Sequence, residues 1–443
     1  MTPELRLNIR EMLRIAIPLA CAELGWMVMS VVDNVMVGQL PHSATAIGAA
    51  SLGSASFYAF AIFGIGLMSG LDTLVSQAFG ANDLPAARRA FASSLILALA
   101  VAPALAASIL GLTPLLGLLG VTPAVKTDAI SFARILVLSL PLLLLYTCLR
   151  RYLQGIHYVR PIPFVLITAN LVNLLGNWLL IYGHWGFPAL GVQGSALSTV
   201  IARLYLVLSL AIAIHFRDPA ALRHLHPNLL ILRQLLRLGF PAALTIGFEV
   251  GIFNLVTALV ATLDPVSLAA HTIVLNAASV TYMVPLGIGS AAAVSVGRAL
   301  GARDKHAARR AGWTALAIAA VFELFSAIGF VLFPQQIARI YTHDPRVISF
   351  SVSLFAIAAL FQLFDGLQTV ATGALRGAGN TRSAMTWNLV CYWLLALPLG
   401  CWIGFELHWG AVGFWDALCL ALILIATGLT AKWYFITKYW QTT

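Results

Sequence analysis

From Pro161 to Ala202, and again from Pro265 to Gly297, the chain carries no Asp, Glu, Lys or Arg. Each stretch is longer than the roughly 20 apolar residues that cross a bilayer as a helix. Of the 443 residues, 60% are hydrophobic and 9% charged, against roughly 25% charged in soluble domains. The chain therefore reads as an all-α integral membrane protein, and a soluble multidomain enzyme is excluded. A formal charge of +10 would suggest nucleic acid as the partner of a soluble protein. Here it points to basic cytoplasmic loops, and no nucleic acid is expected. Cys21, Cys148, Cys391, Cys401 and Cys419 form no C-x-x-C pair and read as packing residues.

Hydropathy with Gly, Pro and charge punctuation predicts twelve transmembrane helices, at 12–37, 46–72, 89–112, 129–150, 161–182, 191–214, 234–262, 266–296, 309–332, 348–375, 383–404 and 411–433. The first contains Glu23 and Asp33, is too long for a signal-peptide core and lacks a small-residue cleavage site, so it reads as a retained helix. With the N-terminus in the cytoplasm, 21 of the 26 basic residues fall on that side. Lys126, Arg134, Arg339 and Arg346 fall on the other, and Arg203 alone lies within a span. Both termini are thus expected to be cytoplasmic, which requires an even number of spans.

The second half repeats the first. L-R-I-A-I-P at Leu13 to Pro18 aligns with L-R-L-G-F-P at Leu236 to Pro241. F-G-A-N-D-L-P-A-A-R-R-A at Phe79 to Ala90 aligns with L-G-A-R-D-K-H-A-A-R-R-A at Leu300 to Ala311. Six spans per unit is an even number, so the two units are parallel repeats related by a pseudo-two-fold axis along the membrane normal. The expected domains are an N-lobe over 1–217, a cytoplasmic linker over 218–232 and a C-lobe over 233–443. Two-lobed transporters place substrate and ion sites at such repeats and alternate access by rocking the lobes. His215, His224 and His226 near the linker read as a cytoplasmic connector rather than a metal patch.

A carboxylate at bilayer depth costs about 2.5–3.5 kcal/mol even on a lenient scale, so each needs a partner or a task. Glu23, Asp33, Glu249, Glu323 and Asp365 lie inside spans. At about 1.5 Å per residue, Glu249 and Asp365 both fall some 20–25 Å from the outer ends of their spans. They can share one dry site, and two carboxyls there need either a proton or a hard cation such as Na⁺ between them. In span 5, Asn170, Asn173 and Asn177 lie along one helix face, and Asn177 matches Asp33 in depth. With Ser198 or Thr199 they can form a second proton or cation site, or simply hydrogen-bond helices together. Arg203 is expected to neutralise an acid of its own lobe or to snorkel. Glu23 and Glu323 read as structural, and Asp72 and Asp416 as solvated at the interfaces. Gly66-x-x-x-Gly70 and Gly373-x-x-x-Gly377 permit close helix contact, and Pro285 with Gly287 and Gly289 is the expected bending point. Among the aromatics, Tyr58, Phe253, Tyr282 and Phe361 are candidates for a cavity that would hold flat cations by stacking and cation–π contact.

No Gly-Lys pair exists, so there is no Walker A loop for ATP drive, and there is neither H-E-x-x-H nor G-x-S-x-G. Enzymatic chemistry has no motif behind it, and secondary transport remains.

Three motifs resemble the multidrug and toxic compound extrusion (MATE) family over the whole length of the chain. They are V-D-N-V-M-V-G at Val32 to Gly38, Q-A-F-G-A-N-D at Gln77 to Asp83, and L-R-G-A-G-N-T-R at Leu375 to Arg382. G-F-E-V around Glu249 and L-F-D-G around Asp365 are similar to the second-lobe cation site of the NorM-like branch. Asp33 and Asn173 match the first-lobe positions, while Asn177 stands where DinF-like members carry an aspartate. That departure shifts the expected main coupling site to the second lobe. The resemblance implies a multidrug efflux antiporter in a bacterial inner membrane. It would export organic, mostly cationic compounds against Na⁺ or H⁺, without a further cofactor, as a monomer whose partners are the lipid bilayer and small organic cations. A flippase for lipid-linked or other amphiphiles and a passive channel are the alternative readings, and the sequence leaves Na⁺ and H⁺ open.

Overall fold

A computed structural model describes residues 3–114, 116, 122–223 and 226–440. Among these the secondary structure is entirely helical. Eleven helices are long and apolar enough to cross a membrane, and a bent pair makes a twelfth. In chain order they are α1 (Pro3–Val37), α2 (Ser43–Gly80), α3 (Leu84–Leu112), α4 (Pro123–Val137 with Leu140–Gly155), α5 (Pro161–Tyr182), α6 (Val192–Arg217), α7 (Leu229–Val260), α8 (Pro265–Gly301), α9 (Lys305–Leu332), α10 (Pro345–Gly377), α11 (Arg382–Glu406) and α12 (Ala411–Tyr439). Each overlaps one of the predicted spans. The linker holds a short helix, Pro219–Arg223; His224 lies outside the described residues.

The starts of these helices follow from capping chemistry. Asp83, Asp264, Asp304 and Asp344 stand one residue before α3, α8, α9 and α10, and each carboxylate accepts a backbone N–H of the first turn at 2.8–2.9 Å. Pro265 and Pro345 follow two of the caps, where a missing N–H costs nothing. The repeat is visible in the backbone too. Asn82 and its repeat mate Arg303 both take left-handed φ (58° and 60°) just before their capping aspartates, and Gly191 and Gly410 both take φ 57° before α6 and α12.

Packing divides the chain into two compact units that do not coincide with the sequence halves. One comprises Cys21–Ala243; the other comprises Met1–Ala20 with Leu244–Thr443. The boundaries fall inside α1 and α7, two residues beyond the repeat mates Pro18 and Pro241, rather than in the linker. Glycines make the exchange possible. In the first unit a Cβ on Gly66 of α2 would lie 2.5 Å from the Ala243 Cα, and one on Gly239 would lie 1.9 Å from the Leu67 carbonyl oxygen. In the second, a Cβ on Gly287 of α8 would lie 2.4 Å from the Ala20 nitrogen. The span-2 helix of each half therefore packs on the start of the other half's first helix, and Ala20 and Ala243 are repeat mates. The Gly373-x-x-x-Gly377 pair packs on Gly289 and Ala293 in the same way.

The main break lies elsewhere than expected. The segments of α4 are bent by 45° at Leu138–Ser139, just before Pro141, whereas α8 runs unbroken through Pro285. Around Pro398, α11 widens into π-helical turns at Leu389–Ala396 and Trp402–Glu406, which absorb the N–H that proline lacks.

Among the described residues, three ion pairs sit in the first unit. Glu23 pairs with Arg150, in keeping with a structural role, and Asp72 pairs with Arg151. Asp72 is fully buried, so ion pairing, not interfacial water, accounts for it. At the end of α6, Asp218 accepts from Arg88 Nε at 3.0 Å and Nη2 at 2.6 Å and from the Tyr152 hydroxyl at 2.5 Å. Burial pushes the Asp218 carboxyl up, but the hydrogen bonds from Arg88 and Tyr152, with the charges of Arg88 and Arg217, outweigh it and hold the group below the usual carboxylate range. A depressed carboxyl stabilises the fold above its unfolded value near 3.9, and that contribution is lost as pH falls through the folded value. Asp218→Asn is expected to cost about 1.5–3 kcal/mol at neutral pH and to speed tryptic cleavage after Arg223. The difference in thermal stability from wild type should begin to shrink below about pH 4 and vanish only below the depressed folded value; a difference that does not shrink on acidification would refute this account.

Candidate functional site

The second unit contains the carboxyl pair anticipated from depth. Glu249 is on α7 and Asp365 on α10; their charges lie within interaction range, and the Gln368 side chain faces both. Tyr282 of α8 donates its hydroxyl to Glu249 Oε1 at 3.1 Å and accepts from Thr369 Oγ1 at 3.3 Å. Asp365 is 6% exposed, and its Oδ1 has no donor. The donor set is thus two carboxyls, an amide oxygen and two hydroxyls. These are hard oxygen ligands of the kind that suit Na⁺, on groups that can equally hold a proton.

One turn towards the N-terminal end of α10, Gln362 donates to Thr281 Oγ1 on α8 and, at 3.5 Å, to Glu323 Oε2 on α9. Glu323 is fully buried, and its Oε1 lacks a donor. It lies directly against α10, where a Cβ on Gly366 would come within 2.4 Å of its Cγ. Polar groups therefore run along one face of α10 through Gln362, Asp365 and Thr369, at the spacing of successive turns.

The candidate aromatics divide. Phe253 and Phe361 stack edge-on at 5.9 Å between centroids, with Trp415 5.3 Å from Phe361 and Tyr392 6.2 Å from Phe253. Phe361 is 2% exposed, so this cluster backs the carboxyl site and leaves Phe253 and Tyr282 as its partly open members. Behind it, buried His271 accepts from Trp415 Nε1 at 3.1 Å and meets Thr257 Oγ1 at 2.9 Å. Thr257 donates its own hydrogen to the Phe253 carbonyl, so the second His271 nitrogen carries the proton and the ring is neutral.

The first unit brings together the other predicted group. Asp33 accepts from Asn177 Nδ2 at 2.7 Å and from Thr199 Oγ1 at 3.3 Å. Asn177 also reaches Asn173 Oδ1 at 3.4 Å, and Ser198 donates to the Asn173 carbonyl at 2.8 Å. Asn170 points elsewhere, to the Gly25 carbonyl. Asp33 and Thr199 line a cavity of about 110 Å³ together with Trp26, Tyr58, Phe132 and Arg203. Arg203 neither snorkels nor pairs with an acid. It is 2% exposed, donates to the Ser139 and Tyr58 hydroxyls at 2.5 and 3.0 Å, and lies 4.8 Å over the Phe57 ring. Within the described residues no carboxylate lies in ion-pairing distance of it, and its Nε has no acceptor. Hydroxyls and a π-face are its direct contacts, while its charge lies within interaction range of Asp33, the acid of its own lobe that lines the same cavity.

Sequence reasoning missed Gln362, Gln368, Thr369 and Tyr392 around the carboxyl pair. The polar spacing Gln362, Asp365, Gln368, Thr369 on an apolar helix was the available signal.

Apolar helices in two repeat-built units, with buried carboxyl groups among the helices, are the architecture of a transporter. The chain belongs to the MatE family, whose model matches residues 18–179 and 241–402, once in each half. It is similar to the "Multidrug resistance protein NorM" of Burkholderia vietnamiensis (35% identity, covering 98% of this chain and 96% of that protein) and to the "Probable multidrug resistance protein NorM" of Pseudomonas putida (34%, covering 96% and 93%). Among solved structures, the fold matches the eukaryotic MATE transporter AtDTX14 (TM-score 0.87, 21% identity, 98% of both chains). It also matches an outward-facing multidrug resistance MATE family transporter of the MOP superfamily (TM-score 0.89, 18% identity, all of both chains).

Proposed function

We propose that the chain is a secondary active multidrug efflux antiporter of a bacterial inner membrane, with both termini cytoplasmic. It exports organic, mostly cationic compounds in exchange for Na⁺ or H⁺ by alternating access, and works as a monomer in the lipid bilayer. The observation that carries this reading is the pairing of partly exposed Glu249 with buried Asp365 without a basic residue between them. Such a pair needs a cation or a proton to be stable, and so binds one from whichever side it faces. The full-length likeness to proteins named for multidrug resistance supports drugs as the exported class. One charge falling inward through 100 mV releases about 2.3 kcal/mol, a roughly fiftyfold bias for each positive charge imported beyond those the exported compound carries out.

The test is ethidium efflux from proteoliposomes of the purified protein under a Na⁺ gradient alone and a pH gradient alone. One of them should accelerate efflux; indifference to both would leave a channel or a flippase. Asp33→Asn should slow ethidium export by roughly tenfold or less, the scale of one lost charged contact of about 1.4 kcal/mol, while the gradient dependence stays. Loss of gradient dependence in that variant would move the coupling site to the first unit.

A further inference from the structure

On the side of the membrane away from the linker basic residues are scarce, and two of them, Arg339 and Arg346, stand where α10 begins. A short helix, Pro334–Tyr341, joins α9 to α10 there. Its Gln335 and Arg339, one turn apart, line a cavity of about 640 Å³ with His343 and with Ser349 and Ser353 of α10. That volume falls within the roughly 300–1,000 Å³ of small-ligand sites. The short helix also exposes Ile340, and the chain leading into it exposes Val331, Leu332 and Phe333. A helix with one polar and one apolar flank suits a membrane surface. The acid nearest in sequence, Asp344, is taken up in capping α10 and in pairing with Arg346 at 3.3 Å. Arg339 and His343 have no ion pair or hydrogen bond among the described residues, so their N–H donors are left to the cavity.

The cavity continues down the helix. Ser349, Ser353, Ala356 and Leu360 follow one another along one exposed face of α10. From Ala356 onward this face borders an apolar groove of about 420 Å³, whose other wall is Cys419, Leu420 and Ile423 of α12. Both helices enter the membrane from the same side, so Asp416, in the second turn of α12, stands at the mouth of that groove. It is half-buried, and no ion pair or hydrogen bond engages it among the described residues. A carboxylate within a span needs a partner. The order along α10 is thus a cationic cavity, a lone carboxylate one turn deeper, and then an apolar groove.

We infer that this face binds an aminophospholipid of the adjoining leaflet. Its phosphate sits on Arg339 and His343, its primary ammonium on Asp416, and one acyl chain in the groove between α10 and α12. Each part answers one feature of the surface, and the ammonium supplies the partner that Asp416 lacks. An anionic phospholipid would engage Arg339 but be repelled by Asp416. A choline lipid carries the charge without an N–H to donate, and a soluble anion would use neither Asp416 nor the groove. The site is independent of the coupling role of Glu249 and Asp365.

The test has two parts, both on the full chain in detergent. Phosphatidylethanolamine with a photoreactive acyl chain should label residues 356–360 and 419–423; label spread evenly over the spans, or confined elsewhere, overturns the proposal. Native mass spectrometry then measures binding of phosphatidylethanolamine, phosphatidylglycerol, phosphatidylcholine and inorganic phosphate separately. Wild type should bind phosphatidylethanolamine at least about tenfold more tightly than the other two lipids, the scale of one charged hydrogen bond. Asp416→Asn should abolish that preference, whereas Arg339→Gln should weaken all three lipids together. Thermal midpoints equal to wild type in lipid-free detergent separate lost binding from lost folding, and the wild-type labelling and lipid preference stand without either variant. Equal wild-type affinity for the three lipids, folded variants that bind as wild type does, or displacement of the lipid by millimolar phosphate would each overturn the proposal.

Discussion

Glu249→Gln and Asp365→Asn, each reconstituted at wild-type yield, are expected to lose at least tenfold of gradient-driven ethidium efflux while still binding ethidium. An ion can drive a conformational equilibrium only by the difference in its affinity for the two states. Shifting a population from 1:99 to 99:1 takes a difference of about 5.5 kcal/mol, which requires direct charged contacts. The contacts available are the two carboxyls, with Gln368 facing both and Tyr282 bound to Glu249. An amide keeps the shape and hydrogen-bonding capacity of the acid but holds neither a proton nor a cation's charge. Because coupling is reciprocal, the variants should also lose the effect of the driving ion on ethidium affinity. Efflux that still rises with the gradient in both variants would remove this site from the mechanism.

The second large effect is on folding. Gly373→Ala places a Cβ 2.1 Å from the Gly289 carbonyl oxygen, where backbone rather than a yielding side chain stands in the way. Overpacking of this kind costs about 3 kcal/mol at the upper end of its usual range. That is a fall on the order of 10 °C in thermal midpoint for a unit of this size. Gly329→Ala on α9 is the control: a Cβ there meets nothing within 4 Å, and alanine gains up to about 1 kcal/mol of helix propensity. Equal midpoints for the two variants in one detergent would refute the close α8–α10 approach.

Much of this was written in the charge pattern. The spans are bounded by basic clusters that cannot lie in hydrocarbon, but the capping aspartates Asp83 and Asp304 were not read as caps, and α3 and α9 start five and four residues before the predicted spans. Depth along a helix is arithmetic, and it paired Glu249 with Asp365 and Asp33 with Asn177. What depth does not give is azimuth. Arg203 was expected to neutralise an acid of its lobe or to snorkel because an unpaired cation in the membrane is costly; Asp33 does lie within range of its charge, but its direct contacts are hydroxyls and the Phe57 ring, which no spacing announces. Asp72 was misjudged for the same reason, since its burial depends on which helix it faces. The division into units was illegible on different grounds. Ala20 and Ala243 are equivalent in the repeat, so the sequence is equally compatible with each first helix packing on its own half or on the other.

That division separates modularity in the gene from modularity in the fold. A cut at the linker divides the sequence at its repeat boundary, yet each half would leave behind the opening turns of a helix that the other half's unit is built around. The arrangement is that of a swapped dimer whose two copies have become one chain. Duplication followed by fusion would give it directly, with the exchanged segments holding both copies to a common history: neither first helix can drift in sequence without disturbing the glycine-lined surface of the opposite repeat.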